Sequence, residues 1–126
     1  MSRTARSLFI FGIYMILLGT SVVLVPNLLL SFFHQPATQE VWIRVVGMLI
    51  IFLGIYDIVA ARSELLPIII WTIPVRLSVT VFFAVFVFAE LAPPILLIFG
   101  VIDLAGAIWT WVELRKETKL KLKHAT

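Results

Sequence analysis

Four long apolar segments dominate the 126-residue sequence. They cover residues 8–30, 41–61, 67–89 and 93–112. Each holds about 20 residues or more, and at about 1.5 Å per residue a helix of that length spans the roughly 30 Å hydrocarbon core of a bilayer. None of them alternates apolar and polar residues with the period of two that a barrel strand requires. The sequence therefore predicts an all-α membrane protein with four transmembrane helices.

The composition excludes several other classes of protein. Hydrophobic residues make up 62% of the chain and charged residues only 13%, whereas soluble domains carry about 25% charged residues. A small soluble domain must also expose much of its surface to water. The chain has no cysteine, which excludes a disulfide scaffold, thiol catalysis and a cysteine-ligated metal.

The first apolar segment has one alternative interpretation, a secretory signal peptide, because Arg3 and Arg6 precede it. The segment is longer than the roughly 7–15 residues of a signal core, and no clear cleavage site of small residues follows it. We therefore expect an uncleaved first transmembrane helix.

The distribution of lysine and arginine predicts the orientation. Glu40 and Glu90 lie at the edges of the face opposite the amino terminus, which has no basic residue outside a helix. Trp109 and Trp111 lie at one membrane surface and Trp42 at the other, as an aromatic belt requires. The positive-inside rule then places both termini in the cytoplasm. The basic residues of the cytoplasmic face are Arg3, Arg6, Arg62, Arg115, Lys116, Lys119, Lys121 and Lys123.

Short connections determine the expected topology. The longest loop, residues 31–40, contains Phe32 and Phe33 and is expected to lie against the outer interface. Because short loops make sequential helices antiparallel neighbours, we predict one domain, residues 1–126, that forms an antiparallel up-down-up-down four-transmembrane-helix bundle. The basic cytoplasmic tail, residues 113–126, is too short and too close to the membrane for nucleic acid, and anionic lipid headgroups attract such a tail.

Four charged residues lie inside the predicted spans, and three of them have depths that suggest a cluster. At about 1.5 Å per residue, Arg76 and Asp103 are both about 13 Å deep and Asp57 about 6 Å deep. A charge at the bilayer centre costs about 2.5–3.5 kcal/mol on insertion scales, so it normally finds a partner. We predict an Asp57–Arg76–Asp103 cluster that is either a ligand-binding site or a structural ion-pair network. Arg44, the fourth charge, is expected to form an interface ion pair with Glu40 one helical turn earlier.

The other notable residues of the spans predict local packing. Pro74 removes an amide near Arg76, which frees a carbonyl near residue 70 that Thr72 or Ser78 is expected to satisfy. Small residues let membrane helices approach closely, so the glycines predict helix packing. A repeated Gly-x-x-Asp pattern, at residues 54–57 and 100–103, suggests a duplicated hairpin. The packing glycines are Gly12, Gly19, Gly47, Gly54, Gly100 and Gly106.

No cofactor or metal is expected. His34 lies in a loop and His124 in the tail, and they are the two histidines of the chain. Because neither histidine lies within a predicted span, the sequence excludes an intramembrane zinc site and a haem held by two histidines. The sequence also has no glycine-rich phosphate loop.

Several stretches together carry a resemblance to a known group of proteins. They are WIRVVG at residues 42–47, GIYDIVAAR at 54–62, WT at 71–72 followed by Arg76, and PP at 93–94 leading to GVIDLAGA at 100–107. The chain resembles the small four-helix bacterial inner-membrane proteins grouped with the DoxX-like families. That resemblance implies a four-helix fold in the bacterial inner (cytoplasmic) membrane and leaves the activity open. DoxX itself is associated with thiol-stress responses, a role that a chain without cysteine does not inherit.

Three functional hypotheses follow. The first is a non-enzymatic accessory subunit or small-molecule-binding bundle, with the lipid bilayer and a second copy or membrane protein as partners. The second is an oligomeric ion- or proton-coupled transporter. The third is a lipid-modifying enzyme of sterol-isomerase type, for which a permanently paired carboxylate is a poor base.

Overall fold

A computed structural model describes residues 1–125, and within them it contains helices and no strand. The five helices are α1 (Arg3–Leu24), α2 (Pro26–Phe32), α3 (Trp42–Arg62), α4 (Leu66–Phe88) and α5 (Leu96–Ala125). All except α2 are long and apolar enough, by length and composition, to cross a membrane. The prediction of an all-helical chain with four long apolar helices is therefore confirmed for this part of the chain.

The first apolar segment is not one continuous helix over residues 8–30. Helix α1 ends at Leu24, and Pro26 begins α2. Proline has no amide hydrogen, and its ring clashes with the preceding turn of a helix. It is therefore disfavoured inside a helix, and α1 ends before Pro26. Val25, the residue before proline, accordingly leaves the helical region, with φ −136° and ψ 58°.

The last helix is longer than the predicted span. Helix α5 continues through the basic segment to Ala125, and the final residue of the predicted tail, Thr126, lies outside the described residues. Strong helix formers such as Glu, Leu, Arg and Lys fill residues 113–123 without a glycine or proline. At about 1.5 Å per residue, the 30 residues of α5 are about 45 Å long, which exceeds a hydrocarbon core of about 30 Å.

The chain divides into two compact units. The first comprises Met1–Leu8 and Ala60–Thr126, and the second comprises Phe9–Val59. In the first unit α4 packs on α5, where the Thr80 hydroxyl donates a hydrogen bond to the Gly100 carbonyl at 2.8 Å.

Glycines bring α1 and α3 into backbone contact in the second unit. A β-carbon added at Gly19 would lie 2.7 Å from the carbonyl oxygen of Gly47, and one added at Gly47 would lie 2.9 Å from that of Gly19. Gly12 and Gly54 face each other in the same way, at 3.0 and 2.9 Å. Because the earlier glycine of α1 meets the later glycine of α3, the two helices run antiparallel here. Gly100 on α5 is different, since its added β-carbon would meet Phe83 at an ordinary 3.5 Å.

Three helix ends are closed by residues in the left-handed region that are not glycine. They are His34, Glu64 and Glu90, with φ of 59°, 52° and 61°. After Glu64, the Leu65 amide donates to the Ala60 carbonyl at 2.9 Å, the bond that identifies a Schellman motif. Glycine takes this conformation without the cost of about 1–2 kcal/mol that a β-carbon adds.

Replacing Glu90 with glycine is therefore expected to raise the free energy of unfolding by about 1 kcal/mol. Titration of the folded protein with dodecyl sulfate in mixed micelles measures that free energy. Glu64→Gly is the matched control, because it relieves the same backbone strain but removes the hydrogen bonds that Glu64 accepts from Ser2. Equal gains in the two variants would contradict a structural role for the Glu64 side chain.

Candidate functional site

The amino terminus of α1 is the first part of the candidate site. The first backbone amides of a helix have no partner within it, and here side chains supply them. Ser2 is the N-cap residue, and its Oγ accepts a hydrogen bond from the Ala5 amide at 3.0 Å. The Ser2 amide donates in turn to Oε1 of Glu64, and the Ser2 hydroxyl lies 3.0 Å from Oε2.

Glu117 on α5 accepts the remaining hydrogen bonds of this helix end. Its Oε1 takes the amides of Arg3 and Thr4 at 2.7 and 3.2 Å, and its Oε2 takes the Thr4 hydroxyl at 2.8 Å. A carboxylate also complements the partial positive charge of a helix amino terminus. The start of α1 is therefore attached to α5 and to the loop before α4, all within the first unit.

The attachment lowers the pKa of the Glu64 carboxyl below its ordinary value of 4.5, and the Ser2 backbone hydrogen bond is the largest cause. A lowered pKa stabilises the fold at pH above 4.5, and the contribution is lost as the pH falls through the lower value of the folded state.

We expect Ser2→Ala to leave the Glu64 pKa below 4.5, because the amide that lowers it most remains. Ser2→Pro removes both the amide and the hydroxyl, so the pKa should rise toward its ordinary value. A ¹³C NMR titration of the Glu64 carboxyl measures both values. If Ser2→Ala alone restores the ordinary pKa, the hydroxyl and not the amide is the cause.

A buried chain of hydroxyl groups extends from this helix end. Thr4, Ser7 and Thr110 have no solvent-exposed surface. The Ser7 hydroxyl lies 2.7 Å from the Thr4 carbonyl and 2.7 Å from the Thr110 hydroxyl. The Thr110 hydroxyl also lies 3.1 Å from the Gly106 carbonyl one turn earlier.

Arg76 completes the chain. It lies on α4 and is only 4% exposed. Its Nη2 donates to the hydroxyls of Thr110 and Thr72, at 2.8 and 3.2 Å, and its Nε donates to the Thr72 carbonyl at 3.3 Å. We call Thr4, Ser7, Thr72, Arg76, Thr110 and Glu117 the Arg76 network.

The direction of the Arg76 side chain explains why depth along the helices did not identify its partner. Long side chains on a helix point toward its amino terminus, so Arg76 reaches back to Thr72 and across to Thr110. Thr110 lies two turns beyond Asp103 on α5. Asp103 is half-buried and interacts electrostatically with Arg76.

The remaining predicted residues have the following surroundings. Asp57 is half-buried on α3, in the second unit, and the three-residue cluster stays a prediction. Arg44 donates to the Val23 carbonyl at 2.6 Å, and the Glu40–Arg44 ion pair also stays a prediction. Near Pro74, the Thr72 hydroxyl donates to the Ile69 carbonyl at 2.7 Å, whereas the carbonyl that proline leaves without an amide is that of Ile70, so the predicted contact stays a prediction. Ser78 instead donates to the Val75 carbonyl.

Four residues of the Arg76 network were not predicted from the sequence, namely Thr4, Ser7, Thr110 and Glu117. Their partners lie up to 114 residues away, and no local pattern indicates such distant contacts. Another buried polar atom is Oε2 of Glu113, which takes no hydrogen bond from any residue of the described range.

The Arg76 network presents a buried guanidinium to its surroundings. Arginine stays protonated at neutral pH and presents five N–H donors in a planar fork, which matches carboxylates and phosphates. Residues 1–125 contain no group of three or more His, Asp or Glu side chains placed to hold a metal ion.

No protein-family model matches the chain, and no curated protein or solved structure is detectably similar to it.

Proposed function

We propose that this chain is a non-enzymatic integral membrane protein that binds an anionic small molecule or a membrane partner through Arg76. It is an accessory or binding protein of the bacterial inner membrane, comparable to the small four-helix proteins of the DoxX-like families. Arg76 and its carboxylate neighbours determine what is bound.

One observation carries this proposal: Arg76 is 4% exposed in an apolar span, and its guanidinium donates hydrogen bonds to two threonine hydroxyls. A charge at such a depth costs about 2.5–3.5 kcal/mol on insertion scales, and an ionisable residue inside a membrane is by default a functional-site hypothesis. The two threonine hydroxyls orient the guanidinium, whose planar fork of N–H donors matches a carboxylate or phosphate.

Native mass spectrometry of the protein released from nanodiscs tests the proposal. We expect the wild-type protein to retain a bound molecule or partner that Arg76→Gln loses and Arg76→Lys retains in part. Arg62→Gln is the control, because Arg62 is an exposed arginine at the end of α3. Retention of the same species by a folded Arg76→Gln variant would refute the proposal.

The proposed topology is an up-down-up-down four-helix bundle with both termini in the cytoplasm. The basic residues at residues 3, 6, 62 and 115–123 support it through the positive-inside rule. Because the chain has no cysteine, single cysteines introduced at exposed positions test it directly. Impermeant maleimide applied from the periplasmic side should label a cysteine at position 39 and not one at position 119.

The proposed ion pair joins Arg76 to Asp103, and both residues lie in the first unit. The electrostatic interaction between these two residues supports the pair. Reversing both signs, as Arg76→Asp with Asp103→Arg, should restore folding that either single change loses. A double variant that expresses no better than the worse single variant would contradict this pairing.

An oligomeric ion- or proton-coupled transporter is the second candidate. A specific observation favours it, the buried Oε2 of Glu113 one turn beyond Thr110, because such an oxygen suits a proton or cation. Under this hypothesis Glu113→Gln or Asp103→Asn abolishes flux into proteoliposomes while the helices still fold. Unchanged flux, or none in the wild-type protein, would exclude it.

A further inference from the structure

A polar pocket lies in the second unit, where α1 ends and α3 begins. Its volume is about 230 Å³. This is smaller than the roughly 300–1,000 Å³ typical of sites for drug-sized ligands, so it suits a headgroup-sized polar molecule. The side chains that give the pocket its chemistry are Asn27, Thr38, Gln39, Glu40 and Arg44.

Hydrogen bonds hold the walls of this pocket in place. The Asn27 amide group donates to the Thr38 carbonyl at 3.1 Å and accepts from the Thr38 amide at 2.8 Å, which attaches the loop to α2. The Thr38 hydroxyl in turn accepts the Glu40 amide at 3.2 Å. These hydrogen bonds fix the backbone of the loop and the side chains of Asn27 and Thr38. The pocket wall is therefore ordered before a ligand binds, which reduces the entropy cost of binding.

Arg44 is oriented by the end of α1. One of its guanidinium nitrogens, Nη1, donates to the Val23 carbonyl at 2.6 Å, one of the carbonyls that a helix end leaves without a partner. Arginine has five N–H donors, so this contact fixes the side chain and leaves further donors for a ligand. Arg44 is thus an anchored cation on the pocket wall.

The charges of the pocket select its ligand. Arg44 supplies one positive charge and Glu40 one negative charge, so a purely anionic ligand is attracted by one wall and repelled by the other. A zwitterion satisfies both, with its phosphate on the guanidinium and its ammonium on the carboxylate. Gln39 also lines the pocket and adds a neutral amide beside the two charged side chains.

The position of the pocket indicates where such a zwitterion comes from. The pocket lies at the ends of two helices that are long and apolar enough to cross a membrane. Trp42, at the start of α3, is 69% exposed, and tryptophan concentrates at the level of lipid headgroups. A lipid headgroup is therefore present at high local concentration.

We propose that this pocket binds a phosphoethanolamine group, with Arg44 on the phosphate and Glu40 on the ammonium. The site is separate from Arg76 and does not depend on the function proposed above. The same group exists in phosphatidylethanolamine and in soluble phosphoethanolamine, and the experiment distinguishes these two sources.

Titration of the purified protein with lipid, followed by native mass spectrometry, tests the inference. Phosphatidylethanolamine should bind about tenfold more tightly than phosphatidylglycerol, and Arg44→Gln or Glu40→Gln should each remove about that factor. Arg62→Gln and Glu90→Gln are the matched controls, because both residues are exposed and lie outside the pocket. Displacement of the lipid by soluble phosphoethanolamine at similar concentration would identify the free molecule as the ligand, and a lack of displacement would identify the lipid.

Equal binding of the two lipids would overturn the inference, and so would a control variant that loses as much affinity as Arg44→Gln. If Arg44→Gln loses helix content, Glu40→Gln decides the question. Glu40 contributes its backbone amide, and not its carboxylate, to the hydrogen bonds that hold the loop. A folded Glu40→Gln variant with unchanged lipid preference would therefore refute the proposed site.

Discussion

Replacing Gly19 with alanine is expected to lower the free energy of unfolding by about 1–3 kcal/mol, the usual cost of overpacking a tight contact. The added β-carbon would lie 2.7 Å from the Gly47 carbonyl oxygen and 2.9 Å from the Ile51 amide nitrogen. Both atoms belong to the backbone of α3, so no side-chain rotation relieves the clash. The two helices must move apart, and other contacts between them then weaken.

Gly100→Ala is the matched control for this prediction. Its added β-carbon meets Phe83 at 3.5 Å, an ordinary contact. Because alanine has a higher helix propensity than glycine, by about 1 kcal/mol, this variant should be neutral or slightly more stable. Unfolding in mixed micelles measures both variants. If the two substitutions change stability equally, the close approach of α1 and α3 at Gly19 is not present in the folded protein.

Thr110→Val is expected to cost about 1–3 kcal/mol, because it removes the hydroxyl that buried Arg76 and Ser7 both contact. Valine has nearly the same shape as threonine, so the change leaves packing intact and isolates the hydrogen bonds. It also releases the guanidinium from one of its two threonine hydroxyls.

Thr118→Val provides the comparison on the same helix. Each of these two threonine hydroxyls donates to the carbonyl four residues earlier, at 3.1 Å for Thr110 and 2.9 Å for Thr118. Thr118 is exposed, and surface substitutions usually change stability by less than about 0.5 kcal/mol. The difference between the two variants therefore reports the buried contacts. A loss in Thr118→Val as large as in Thr110→Val would show that those contacts add nothing.

The long helices could be predicted from sequence because apolar length alone determines which segments can cross a membrane. The ends of the helices were harder to predict from the sequence. The residues on both sides of Pro26 are apolar, so the end of α1 at Leu24 depends on the backbone chemistry of proline and not on a change in composition. The predicted fourth span ends at residue 112 because charged residues follow it. Those residues have high helix propensities, which favour the observed continuation of α5.

The candidate site could be predicted only in part. Arg76 was identified because a charge in an apolar span is rare, and it is indeed buried. Its contact with Thr110 could not be found, since depth along a helix describes the position of the backbone and not the direction of a long side chain. The role of Glu117 at the start of α1 could not be predicted either, because it accepts a hydrogen bond from a residue 114 positions away and no local sequence pattern indicates such a contact.

The two proposed sites make separate claims about the molecule. The Arg76 network lies in the first unit and the polar pocket lies in the second. A variant at Glu40 or Arg44 should therefore change lipid preference without changing what Arg76 retains. Conversely, Arg76→Gln should lose the molecule or partner that Arg76 retains without changing the lipid preference.

A structure of the wild-type protein crystallised from a lipidic phase, with the molecule that co-purifies, tests the central claim most directly. We expect a carboxylate or phosphate of that molecule, or of a partner, within hydrogen-bonding distance of the Arg76 guanidinium. Arg76 should keep its contacts with Thr72 and Thr110 in that complex. A guanidinium surrounded only by side chains of its own chain, with the co-purified molecule bound elsewhere, would contradict a binding role for Arg76.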